Sequence, residues 1–236
     1  MPPDHSSEGH RIDALLRVSL GLTAAIAAVF LLSLAWLVYR ARKRASDATA
    51  TSSSAPSAYA FGLGLAVLIF GLIDLALAAG SRRAAVGPPP PDALRVEVLA
   101  QQWAWRFRYA GPDDRFGTAD DVTTLNDLRL PVGRAVSMQV RSLDTSHGFF
   151  IPMLRARADT YPGRTARTWF RTAREGRGEL ACTVLCGDAH YQMRGEVTVL
   201  SNEQYAQWMN GLIEDQRRAA AAAPGSAPAW GWSWLP

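Results

Sequence analysis

The two cysteines of the chain both lie in Cys182-Thr-Val-Leu-Cys186-Gly-Asp-Ala-His190-Tyr-Gln-Met193. The spacing C-x3-C-x3-H-x2-M gathers two thiols, an imidazole and a thioether into one short loop. Thiolate and thioether select Cu(I), and imidazole suits copper in either oxidation state, so the set fits an ion that cycles by one electron. A blue-copper site uses one thiolate, two histidines and a weak axial methionine. A second cysteine argues against that arrangement and allows two thiolates to bridge two coppers. A further ligand must come from elsewhere. His147, in Ser142-Leu-Asp144-Thr-Ser-His147-Gly-Phe-Phe-Ile-Pro152, follows a predicted strand and is expected to hang from a neighbouring loop over the cysteine loop. His5 and His10 precede the first apolar segment and are expected to be solvated.

Two other chemistries use the same residues. A structural zinc could take Cys182, Cys186, His190 and His147 as a tetrahedral set, but it leaves Met193 idle. A Cys182–Cys186 disulfide would close a short loop and constrain little.

Such a loop must be held by a rigid scaffold. The chain has 236 residues, 48% of them apolar, enough for one soluble domain plus membrane-embedded sequence and too few for a large multidomain enzyme. The net charge of +4 is carried almost wholly by scattered arginines, Lys43 being the sole lysine, a pattern that argues against nucleic-acid binding. After an outer N-terminal segment (1–17), Val18–Tyr39 is uncharged and long enough to cross a bilayer as a helix. It exceeds the apolar core of a cleaved secretory signal. Arg40, Arg42, Lys43 and Arg44 open a Ser/Thr/Ala-rich loop (40–57) that the positive-inside rule places in the cytoplasm. A second apolar segment, Ala58–Ala79, returns across the membrane. It carries Asp74, an ionisable residue of the kind that marks function inside a span, although its place near the outer end gives it access to headgroups, water or a partner subunit.

Gly87-Pro-Pro-Pro-Pro91 stiffens a linker over 80–93. Residues 94–200 then read as an antiparallel β-sandwich or barrel on the outer side. Strand-like runs at Arg95–Leu99, Trp103–Tyr109, Ala135–Val140 and Gly195–Leu200 alternate with turn chemistry at Gly111-Pro112-Asp113, Pro131-Val-Gly133 and Pro162-Gly163. Over 201–236, Ser201 and Gln204 predict a capped helix with Tyr205, Trp208, Met209 and Leu212 on one face, followed by a flexible Trp-rich tail. Asp113, Asp114, Asp120, Asp121, Asp127 and Asp144 form a candidate negative surface for a basic partner. Gly111–Asp121 has the look of a calcium loop, but its spacing departs from the EF-hand pattern.

With these motifs assembled, the chain from about Val18 to Leu200 resembles subunit II of the heme–copper cytochrome c oxidases. The resemblance rests on Gln102-Trp103-Ala104-Trp105, on Asp144-x-x-His147 with Pro152 and Asp159-x-x-Pro162-Gly163-Arg164, and on the ligand loop, all in the family's order. It implies a two-helix transmembrane hairpin followed by an all-β cupredoxin-like (Greek-key) domain that holds a binuclear copper centre, CuA. Cys182 and Cys186 would bridge the coppers, His147 and Met193 would complete one, and His190 with the backbone carbonyl of Val184 the other. It also implies cytochrome c as electron donor, Trp103 as the point of electron admission, and heme in subunit I as acceptor, in the cytoplasmic membrane of a bacterium. A nitrous-oxide-reductase type of CuA protein would need a large second catalytic domain. A non-redox membrane-anchored assembly or binding subunit with a structural zinc is the rival of a different class. The family usually has glutamate at the position of Val184, where its side chain helps to bind Mg²⁺ at the contact with subunit I. Valine keeps the carbonyl without that carboxylate, so the Mg²⁺ contribution does not carry over. The glutamate usual near the cytoplasmic end of the second helix is also missing, and with it that route of proton entry.

Overall fold

The computed structural model describes residues 2–46, 62–76, 88–118 and 120–222. The chain divides into two compact units, Arg11–Val86 and the combination of Met1–His10 with Gly87–Pro236.

The first unit is helical. Helix α1 runs Gly9–Ser46, longer at both ends than the uncharged stretch 18–39. Its start is set by Ser6, whose Oγ accepts the Gly9 N–H at 2.8 Å and satisfies one of the orphan donors of the first turn. The span Gly9–Lys43 is long and apolar enough to cross a membrane. Leu20, Val29, Leu31, Leu32 and Tyr39 are exposed around the helix, as expected where lipid rather than a protein core is the solvent. Helix α2, Gly62–Ala76, lies inside the expected 58–79 segment. Its Asp74 accepts a hydrogen bond of 3.2 Å from Ser19 Oγ on α1. Most of the expected cytoplasmic loop, the ends of the second apolar segment, the start of the proline-rich linker and the Trp-rich tail fall outside the described residues.

The second unit is built on two five-stranded sheets. One has the order β3-β2-β1-β5-β8, from Val122–Leu125, Ala104–Tyr109, Leu94–Gln101, Ala135–Ser142 and Ala166–Arg171. The other has the order β4-β10-β9-β6-β7, from Asp127–Pro131, Arg194–Leu200, Gly176–Cys182, His147–Ile151 and Ala156–Thr160. Strand β1 runs parallel to β5 and β10 parallel to β4, the remaining pairs being antiparallel. This is a cupredoxin-like β-sandwich, with two crossed-over parallel pairs where the turn signals alone suggested only antiparallel neighbours.

Alternation builds its core. Val136, Met138 and Val140 of β5 point inward while Ser137 and Gln139 do not, and Val96, Val98, Phe107 and Tyr109 complete that face. Leu128, Leu130, Phe149, Ile151, Leu180, Val197 and Val199 oppose them from the second sheet. Helix α3, Asn202–Ala222, packs along β3, β4 and β10. The predicted capping box forms in both directions: Gln204 N–H donates to Ser201 Oγ (3.2 Å) and Ser201 N–H to Gln204 Oε1 (3.4 Å). Trp208, Met209 and Leu212 lie against the core, and Tyr205 is buried.

The N-terminal segment belongs to this unit. Ser6 bridges Thr172 in antiparallel fashion, and His5 donates its N–H to Met153 O (2.9 Å). His5 is thus packed on the β-domain rather than solvated, whereas His10 is exposed.

Candidate metal centre

Strand β9 ends on Cys182, and β10 begins one residue after Met193, so the ligand loop is the connection between two adjacent strands of the second sheet. Its base is closed by the Cys182 N–H, which donates to Met193 O at 3.1 Å. His147 is the first residue of β6, next to β9 in the same sheet, and Phe149 pairs with Cys182. The expectation that His147 hangs from a loop is therefore corrected. A strand places it, which fixes the imidazole more tightly than a loop would.

These elements converge. The ligand atoms of His147, Cys182 and Cys186 lie within 4.8 Å of one another, and all three residues are buried. The two sulfurs are 3.8 Å apart. Cys186 Sγ lies 3.7 Å from Met193 Sδ and 3.5 Å from His190 Nδ1. The carbonyl of Val184 turns inward to 3.2 Å from Cys182 Sγ. Met193 and His147 are fully buried, while His190 is half-exposed. Every residue of the expected ligand set therefore stands at or beside the sulfur pair.

The imidazole of His147 is held at one nitrogen and open at the other. Nε2 lies 2.8 Å from Asp144 Oδ1, and Nδ1 is buried without a hydrogen bond of acceptable geometry. A buried polar atom left without a partner costs on the order of 1–3 kcal/mol unless something else binds it. A ring nitrogen of His147 lies within 4.8 Å of both sulfurs, so the imidazole, two soft sulfurs and a thioether make a donor set fitted to a thiophilic metal. Burial alone would raise the Cys182 thiol, but His147 and the backbone N–H groups around it bring it down to about 6. Burial and the neighbouring Cys182 charge push Cys186 up to about 12. Burial lowers the His147 imidazolium, yet Cys182 and Asp144 outweigh it and raise the group above its ordinary value. A metal bound by these groups would displace their protons, which would couple metal binding to proton release.

Three supporting residues escape a reading of the sequence alone. Gln102 N–H donates to Asp144 Oδ2 (2.7 Å), and its side-chain Nε2 donates to Cys186 O (2.8 Å), so one residue ties the Asp144–His147 pair to the cysteine loop. Gly148 lets the loop approach, since a Cβ there would collide with Thr183 and Val184. Thr183 N–H accordingly donates to Gly148 O at 2.9 Å. Gly187 sits at φ +118 beneath the Trp103 indole, where a side chain would be strained and crowded. Trp103 itself is 38% exposed, with its inner edge on this glycine. Leu185 and Tyr191 are exposed on the same loop.

The six aspartates behave differently from a free negative surface. Asp114 pairs with Arg95, Asp127 with Arg129, Asp121 with Arg108, and Asp144 with His147. Asp120 accepts from Thr118 Oγ1 and Asp113 from the Arg115 N–H.

The β-domain matches the sequence model of the family "Cytochrome C oxidase subunit II, periplasmic domain" over residues 94–199. That span contains both the strand bearing His147 and the whole ligand loop. Residues 94–199 are thus similar to the periplasmic domain of cytochrome c oxidase subunit II. The alternative cytochrome c oxidase subunit 2 of Bradyrhizobium diazoefficiens is 39% identical over 142 residues, covering 51% of this chain and 51% of that protein. The cytochrome c oxidase subunit 2 of Thermostichus vulcanus is 31% identical over 156 residues, covering 64% of this chain and 43% of that protein. The chain thus spans about half the length of these relatives. The solved periplasmic domain of subunit II of cytochrome oxidase of Bradyrhizobium japonicum aligns at 24% identity with a TM-score of 0.48, over 54% of this chain and 99% of that one.

Proposed function

We propose that the chain is the electron-accepting subunit of a respiratory terminal oxidase, taking electrons singly from cytochrome c at a binuclear copper centre and delivering them to heme in a catalytic subunit I. The observation that carries this reading is the buried, unpartnered Nδ1 of His147 beside two cysteine sulfurs 3.8 Å apart. Cys182, Cys186, His147, His190, Met193 and the Val184 carbonyl would hold the metal. A binuclear copper centre held by these residues would supply a one-electron carrier. A zinc site in a non-redox subunit is disfavoured by Met193, whose buried thioether lies on Cys186 where zinc has no use for it.

The residues of the chain divide the remaining work. Asp144 fixes the tautomer of His147 by accepting from Nε2, leaving Nδ1 for the metal. Gln102 keeps the Cys186 carbonyl and the Asp144 carboxylate in register with each other. Met193, Phe149 and Trp105 exclude water from the inner side of the site. Trp103 is partly exposed and sets its inner edge on Gly187 of the ligand loop, a placement that suits a point of electron admission. Val184 offers only its carbonyl, so a Mg²⁺ ion at a subunit contact would have no carboxylate from this position.

In such a subunit α1 and α2 would form a membrane hairpin. Residues 5–7 hydrogen-bond to the β-domain. A hairpin of α1 and α2 would put Arg40, Arg42 and Lys43 on the cytoplasmic side, in keeping with the positive-inside rule. The test is oxidation of reduced cytochrome c by the purified membrane complex. Trp103→Leu should slow electron admission while copper content stays constant; an undiminished rate would remove Trp103 from the path, and a copper-free active complex would overturn the reading.

A further inference from the structure

Residues 2–8 are more than a lead into α1. His5 and Ser7 pair with the β-domain in strand fashion. Ala173 N–H donates to His5 O (2.7 Å), and Ser7 N–H donates to Arg171 O (3.0 Å), the hydrogen bonds that flank the antiparallel Ser6–Thr172 bridge. Ser6 and Thr172 are both buried at this crossing. The His5 ring fills the place where Gly176 has no side chain, with Nδ1 at 3.3 Å from Arg174 O. Arg155 Nη2 reaches back to Pro2 O at 3.1 Å. Asp4 Oδ1 accepts from Ser6 N–H and Oγ (2.9 and 2.8 Å), and the same Ser6 Oγ caps the first turn of α1. One serine thus belongs at once to the domain edge and to the helix cap.

We infer that this arm is a strap that docks on the edge formed by Met153, Arg171–Ala173 and Gly176, giving the β-domain a second attachment to its membrane anchor besides the linker before β1. A single proline-containing tether fixes a domain's reach but not its orientation. Two attachments at separate points of the chain restrict both, and transfer between redox centres depends on placement. The strap is therefore a positioning device for the metal centre, and this functional half rests on the proposed electron-transfer role.

Amide hydrogen exchange on the full-length protein in detergent tests the docking without reference to copper. The Ala173 amide should be protected in the unmodified chain. Deletion of residues 2–7, and separately Ser7→Pro, which removes the donor to Arg171 O, should each speed its exchange about 100-fold. The Thr183 amide, bonded to Gly148 O, should stay unchanged in both variants. Rapid exchange of Ala173 in the unmodified chain, or no change on deletion, overturns the strap. In the assembled complex at equal copper content, the deletion should lower the rate of electron delivery about tenfold. An equal rate overturns the positioning role. Absence of a copper signal in both forms, with the Ala173 result intact, would instead indict the electron-transfer reading.

Discussion

The loops Cys182–Met193 and Gly111–Asp121 both crowd metal-binding groups into a short stretch, and they spend them in opposite ways. In the acidic loop every described carboxylate finds a partner at home. Asp121 accepts the Gly117 N–H at 2.7 Å and sits 3.4 Å from Arg108, which also pairs with buried Glu97, while Asp120 and Asp113 are taken by Thr118 and the Arg115 N–H. Phe116 stacks on Arg108 over the top. In the cysteine loop the donors turn toward one another instead, and the histidine that joins them leaves a buried nitrogen unmatched. A run of ligand-type residues is thus ambiguous until the polar atoms are accounted for. Self-satisfied groups hold a loop's shape, whereas converging unsatisfied ones await something else.

Substitutions should separate the two loops. The largest effect belongs to Cys186→Ser, which should abolish the binuclear copper signature in electron paramagnetic resonance while the domain remains folded by circular dichroism. A retained signature would remove Cys186 from the bridge. Next, Arg108→Ala takes the guanidinium from Glu97, whose side chain is only 4% exposed, and should cost about 3–5 kcal/mol in denaturant unfolding, with copper binding per folded molecule unaltered. Loss of metal instead would make the acidic loop part of the centre.

A smaller change is expected from Asp144→Ala, which leaves all proposed ligands in place but frees the His147 ring. Copper affinity should fall about 10–100-fold in a competition titration. The same carboxylate gives a signed pH effect. Burial would raise Asp144, but His147 and the N–H groups of Gln102 and Thr145 outweigh it and hold it below the usual carboxylate value. Its stabilisation of the metal-free fold is therefore complete above the ordinary aspartate pKa and is lost as pH falls through the lower native value. Acid unfolding of Asp144→Ala should lack that limb. The smallest effect is Ser201→Ala, which opens the capping box of α3 and should cost about 1 kcal/mol without touching either loop.

Much of this was legible in the residues. The ligand loop announces itself because its donors are close in sequence, the uncharged run of α1 because hydrophobic length has one common meaning, and the α3 cap because Ser201 and Gln204 carry their chemistry locally. His147 was legible as a candidate but not as a strand residue, since β6 pairs with β9 across a long sequence separation and its run His-Gly-Phe-Phe-Ile has no alternation. Gln102 and Gly148 were silent for the same reason: their roles consist of contacts to residues far along the chain. The docking of His5 on Gly176 bridges an even longer interval. The pairing of the aspartates was hidden too, because an acid's partner is a matter of register and not of type.

Metal content measured together with electron paramagnetic resonance on the full-length protein, reconstituted with copper, tests the central claim most directly. The account predicts about two coppers per chain and a signal from one unpaired electron delocalised over both. One zinc, a single localised Cu(II) or no bound metal would contradict it.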